Sequence, residues 1–254
     1  MKFFVEKNSI VRKIWGKSDT VLFIFAGAAA EFALNKAVDW LYFTGKLPAD
    51  PIGRLFSTVR YARGIVFASM DEANKTIDAI RKIHTAVEQN RGFSIPDWAY
   101  RDVLFMLIHY SIASYEVLEK KLSDKEKEDV YDVFYRVGTG MGLKELPATY
   151  VQWLPARETH LLNDLQKSKY TEDLFKQYKK HLGAMRFKVL TEGQKLVVPD
   201  KVKELLQFND FSLLTPVVPI YKISRLMKMD WLLKNILLPS DYKDQINELN
   251  VRGE

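Results

Sequence analysis

Two of the four histidines in this sequence stand on apolar helical faces, and they are its most chemically loaded residues. In TIDAIRKIHTAVEQ (76–89) the positions Ala73, Ile77, Ile80, His84 and Val87 recur at spacings of four, three, four and three. That is the buried stripe of an amphipathic helix. Asp78, Arg81, Lys82 and Glu88 fall off it. His109 lies in VLFMLIHYSIASYEVL (103–118), apolar almost all round. An imidazole buried without a partner costs on the order of 2 kcal/mol or more. Each of these two histidines therefore needs a hydrogen-bond partner or a metal ion. His160 and His181 sit in polar surroundings and read as surface residues. A dedicated zinc site is not expected: no two histidines are four apart and there is no cysteine;. Haem iron needs only one axial histidine inside an apolar helical pocket. The alternative for either residue is a core histidine bonded to a backbone carbonyl.

A second candidate lies upstream, in DPIGRLFSTVRYARGIVFAS (50–69). Arg54, Thr58, Tyr61, Ala62 and Ile65 share one helical face, which places a guanidinium among apolar neighbours;. Pointing inward, it requires an acidic partner or an anionic ligand group such as a propionate; otherwise it snorkels to solvent. GTGMG (138–142) follows a helical pattern and reads as a helix terminus, not a nucleotide loop;. No phosphate-binding loop, nucleophile elbow or calcium loop is present, and spacing singles out no acid–base pair.

The elements that must position these groups are helical. Capping boxes start helices at Ser69-Met-Asp-Glu72 and Ser123-Asp-Lys-Glu126, and Asp50-Pro51 supplies an N-cap before a first-turn proline;. The pattern predicts helices near 18–43, 51–67, 70–90, 97–121, 124–141, 147–164, 171–191, 199–207, 215–234 and 239–248. KLVVP (195–199) is the one strand-like run. The expected architecture is all-α, a single compact multi-helix domain over residues 1–254. The chain is long enough to need no disulfide or metal staple. Its net charge of +6 arises from 38 basic residues interspersed among 32 acidic ones. Nucleic-acid binders concentrate their charge on one face, so no nucleic-acid partner is expected. The most apolar run, VLFIFAGAAA (21–30), is too short for a bilayer span;. With no secretory leader and no cysteine the expected location is cytoplasmic, with peripheral membrane contact left open.

The order of DPIGRLFSTVRYARGIVFAS, DEANKTIDAIRKIHTAV, WAYRDVLFMLIHYSIASYEVL and YRVGTGMGLKELPATYVQW resembles the MpaB/rubber-oxygenase catalytic-domain family over about residues 35–160. That family is all-helical and has members that bind b-type haem. The resemblance implies that His84 ligates haem iron on the proximal side and that Arg54 and Thr58 lie at the haem pocket. His109 corresponds to the histidine of the next helix. The implied activity is a haem b-dependent oxygenase acting with dioxygen on a hydrophobic small molecule. The alternatives are a non-catalytic haem or lipid carrier and a structural homologue without cofactor. For the family's catalytic base the nearest acidic residues are Asp39 and Glu31. The sequence departs from the family at Gln89, where a glycine is frequent, and at RGFSIPDW (91–98). Rubber itself is not implied as substrate. Aromatics such as Trp40, Tyr42, Phe43, Trp98, Tyr110 and Tyr115 suit either a cavity lining or plain core. The apolar stretch from Leu213 onward is expected to cover a cavity.

Overall fold

Side-chain caps set most helix starts in the computed structural model, which describes residues 2–45 and 49–226. The helices run α1 (Ile10–Trp15), α2 (Ser18–Phe32), α3 (Asp39–Phe43), α4 (Pro51–Val66), α5 (Met70–Arg91), α6 (Asp97–Leu118), α7 (Asp124–Gly140), α8 (Tyr150–Asn163), α9 (Lys169–Val197), α10 (Asp200–Leu206) and α11 (Val217–Leu226). The described residues contain no strand, only the isolated bridges Phe3–Ser69 and Asn35–Leu165. Both predicted capping boxes form: Ser69 with Glu72 and Ser123 with Glu126. Asp50 caps α4 by accepting a hydrogen bond from Gly53 N at 2.8 Å. No described helix is long and apolar enough to cross a membrane.

Helices α2 and α6 form the central pair, with α9 against α2 and α7 against α6, while α4 and α5 lie side by side. Close approach of the central pair depends on Gly27. A Cβ at that position would overlap the ring of Tyr110, so the missing side chain is what lets the tyrosine lie flat on α2. The core around them contains Trp15, Phe105, Tyr110, Tyr131 and Trp153, all almost completely buried. Burying a large apolar side chain contributes roughly 1.5–3 kcal/mol. The indole of Trp15 donates to Ser111 Oγ at 3.2 Å, satisfying its only polar atom;. A satellite cluster joins Ala33, Val38, Leu174 and Tyr178.

The N-terminal segment acts as a strap. Phe4 N donates to Ala68 O and Met70 N to Lys2 O, which ties the turn between α4 and α5 to the body. Arg136 Nη1 adds a bond to Phe4 O at 2.7 Å. The start of α5 is thus held from both sides.

Three expectations about elements change. The predicted helix 18–43 breaks at 33–38, because the Asn35 side chain accepts from Ala37 N at 2.8 Å and substitutes for the next helical turn;. Backbone bonds from Gln166 N to Leu34 O and from Lys36 N to Asp164 O hold the break open. KLVVP is not a strand. Helix α9 continues to Val197, and Val198 turns extended because a proline follows it;. Pro155 lies inside α8, within the predicted helix 147–164. The carbonyl it leaves unbonded belongs to Val151, which is on the exposed side;. Helix α1 escaped the sequence pattern: six residues are too few for a periodicity, yet Ile10, Val11, Ile14 and Trp15 are all buried. The predicted helix 239–248 and the end of 215–234 lie outside the described residues.

Candidate functional site

Helix α5 carries the first candidate. Its apolar stripe forms as the spacing requires: Ala73 and Ile77 are buried, and Ile80, His84 and Val87 are half-buried. The His84 ring lies 5.1 Å from that of Tyr100, tilted by 53°. Its Nδ1 is buried and has no hydrogen-bond partner among the described residues. Burial lowers the pKa of this imidazole, and the positive charge of Arg54 lowers it further, against an opposing pull from Glu88. The sum of these effects is a desolvated, neutral imidazole with a free nitrogen. That is the form that binds a metal.

Arg54 reaches this point because α4 and α5 lie side by side and pair along their lengths. Gly64 stands opposite Thr76, where a Cβ would lie 3.8 Å from the threonine methyl. Towards the other end of the seam Arg54 stands close enough for its charge to act on His84. The Arg54 guanidinium is half-buried and has no carboxylate partner among the described residues. Thr58 Oγ1 donates back to Arg54 O at 3.2 Å, so its proton is used within α4 and its lone pairs remain. Between these pairings Ser57, Arg60, Tyr61, Gly64 and Thr76 line an open cleft of about 390 Å³.

Glu88, one turn beyond His84, is a residue the sequence reading passed over. Its Oε1 accepts from Ile95 N at 2.8 Å and from the Tyr100 hydroxyl at 3.2 Å. Burial and the Glu88 charge hold the Tyr100 phenol protonated, its pKa pushed far up. Glu88 thereby fixes both the turn after α5 and the ring beside His84. Its position on the polar side of the stripe hid that task, since the partners lie in the next helix and the turn before it. At the end of α5, Arg91 donates to Asp39 Oδ2 at 2.6 Å and stacks 3.9 Å over Trp40. Asp39 is thus brought to the same end of α5 as His84, with one oxygen taken by a guanidinium.

His109 does not join this group. Nine residues separate it from Tyr100, two and a half turns, so it leaves the opposite side of α6. Its Nε2 lies 3.3 Å from Val197 O, and its ring meets Tyr110 edge-on at 4.9 Å. This is the backbone-bonded core histidine of the sequence alternatives. Burial first, and then the charge of Arg157, lower its pKa to about 4.

Glu31 is also accounted for internally. Arg157 clasps it with two bonds, Nη1 to Oε1 at 2.6 Å and Nη2 to Oε2 at 2.5 Å, and the Tyr110 hydroxyl donates to Oε2 at 2.8 Å. Burial pulls the Arg157 pKa down, and the bidentate Glu31 more than restores it. Both oxygens face protein donors, which leaves Glu31 unsuited to take a proton from a substrate. His160, read as a surface residue, is in fact only 12% exposed and sits between Asp102 and Asp164. Its partners come from another helix and from the residue closing its own, so local polarity misled. His181 is exposed as expected.

The aromatic candidates divide. Tyr110 and Tyr115 are buried core. The Tyr42 hydroxyl donates to Asp173 Oδ2 at 2.9 Å, joining α3 to α9, and Phe43 is half-exposed.

No curated protein matches the chain significantly. The family described as "ER-bound oxygenase mpaB/B'/Rubber oxygenase, catalytic domain" matches residues 13–227, which takes in every described helix from α2 to α10 and all the residues placed above. That match spans most of the chain, and the chain belongs to the mpaB/rubber-oxygenase catalytic-domain family.

Proposed function

We propose that this protein is a haem b-dependent oxygenase acting on a hydrophobic small molecule, in which His84 would hold the haem iron. The observation that supports it most is the buried Nδ1 of His84, which has no hydrogen-bond partner among the described residues and lies within electrostatic reach of Arg54, whose guanidinium has no carboxylate partner there. A buried donor atom left unsatisfied is costly, and a haem would answer both vacancies: iron for the imidazole and a propionate for Arg54. The residues present therefore fit the group. Haem, when bound, supplies the dioxygen chemistry.

The chain's own residues have separate tasks. Burial and Arg54 keep His84 unprotonated at neutral pH. Tyr100, anchored by Glu88, limits rotation of the imidazole. Arg54 binds an anionic group through its fork, and Thr58, bonded to the Arg54 carbonyl, offers its oxygen as an acceptor on the same face. Asp39, the acidic candidate for a base, has Arg91 on one oxygen and keeps the other for a proton; its pairing also holds α3 against α5.

Titration of purified protein with haemin tests this. Wild-type protein is expected to develop a strong absorption band near the blue edge of the visible range, at one haem per chain. His84→Ala should lose it, and Arg54→Ala should weaken haemin binding by about tenfold, the worth of a charge-assisted bond. Haemin bound equally well by His84→Ala would overturn the assignment. Oxygen uptake across a lipid and terpenoid panel then distinguishes enzyme from carrier, which would show the band without turnover.

A further inference from the structure

We infer that Asp102, His160 and Asp164 form a binding site for a divalent transition-metal cation of the Zn²⁺ class, separate from the His84 site. Asp102 projects from α6 two residues after Tyr100, and so from the other side of that helix. His160 comes from the last turn of α8, and Asp164 is the residue that closes it. One ligand atom from each lies within 4.8 Å of the others. The ligands come from two helices and a helix end, so no local histidine spacing announces them.

Three observations point to a cation rather than to a plain ion pair. First, Asp102 is only 2% exposed, and its Oδ1 has no hydrogen-bond partner among the described residues. His160 Nδ1 touches that oxygen and also lies 2.8 Å from Asp164 Oδ2, yet it too has no properly directed hydrogen bond. One ring nitrogen carries at most one proton, so it cannot serve two carboxylates. A metal ion takes all three atoms at once. Second, two carboxylates and a neutral imidazole carry a charge of minus two, which a divalent cation cancels and a single proton does not. Third, the surroundings support the ligands from behind. Asn35 Nδ2 donates to Asp102 Oδ2 at 2.5 Å, orienting the carboxylate, and Phe105 meets the His160 ring edge-on at 5.1 Å;.

Zn²⁺ accepts imidazole nitrogen and carboxylate oxygen, and a site with three protein ligands leaves one position for water. At metal–ligand distances of about 2.0–2.2 Å, tetrahedral ligands lie roughly 3.4 Å apart. Both carboxylate contacts of His160 Nδ1 are shorter than that, so for an ion to enter, the half-buried ring must turn away from Asp102 and Asp164, at its helix end, must retreat by about half an ångström;. A cleft of about 250 Å³, with His160, Phe105, Arg101, Glu145 and Thr159 among its walls, gives the site access to solvent. Arg101 is paired there with Glu145 at 3.2 Å.

Zn²⁺ binding to the haem-free, EDTA-treated chain tests the site. Wild-type protein is expected to bind one Zn²⁺ by calorimetry, and to gain thermal stability that EDTA removes. Asp164→Asn should weaken binding by at least about tenfold, and His160→Gln should abolish it, with helical circular dichroism retained. Should His160→Gln fail to fold, Asp164→Asn decides alone. His84→Ala should bind Zn²⁺ as the wild type does, so the outcome is independent of the haem assignment. No saturable binding by wild-type protein, or equal affinity in Asp164→Asn, would overturn the inference.

Discussion

At the scale of the residue, the molecule holds two histidines on apolar faces with opposite fates. His84 has a buried nitrogen facing no protein partner, whereas His109 has Val197 O. The difference lies in what packs above each ring and not in the sequence around it. The same scale governs the Glu31–Arg157 pair. Both side chains are nearly inaccessible, so each charge is tolerated only because the other is present;. Glu31→Gln should therefore cost about 3–5 kcal/mol of stability, measured by urea denaturation, since it leaves a buried guanidinium uncompensated. Glu31→Gln combined with Arg157→Met should recover much of that loss. A cost under about 1 kcal/mol for the single change would mean that water reaches the pair. The notion of Glu31 as a base came from its nearness in sequence to the motif region; only the partner contributed by α8 rules it out.

At the scale of the element, the α2–α6 contact depends on a glycine. Helix propensity would favour alanine at position 27, but the Tyr110 ring occupies the space its methyl would need. Gly27→Ala should lower stability by about 1–3 kcal/mol and, by displacing the ring, weaken the Tyr110–Glu31 bond. An unchanged melting temperature would show that the two helices slide apart freely. Elements were largely legible in advance where a cap and a periodic stripe coincide, as in α4, α5 and α7. They were misread where a side chain or a distant segment competes with the local pattern. Asn35 ends α2 by bonding to the chain two residues on, and residues 164–166 hold that break.

At the scale of the whole molecule, burial of neutral imidazoles couples stability to pH. His109 falls from its ordinary 6.5 to about 4 in the folded state, and His84 shifts in the same direction. The unfolded chain therefore binds more protons than the folded one between those values, so stability rises with pH across that window. It is complete above about pH 6.5 and is lost progressively as the pH falls toward 4. For His109 the shift corresponds to about 3 kcal/mol. Urea midpoints measured from pH 7 to pH 4 should fall, and His109→Gln should flatten the profile because glutamine carries no proton in that range. A profile as steep in that variant as in the wild type would assign the effect to other groups.

The amino-acid order alone determined the helical class, the capped starts of α4, α5 and α7, and the faces on which His84 and Arg54 stand, because periodicity and capping depend on residues within a few positions of one another. Tertiary structure decided which groups meet. It brought Arg54 within electrostatic reach of His84, seated Tyr100 beside that ring with Glu88 anchoring it, gave His109 and Glu31 internal partners, and drew Asp102, His160 and Asp164 together. Those meetings depend on how helices dozens of residues apart in the chain pack, and local sequence carries no record of that.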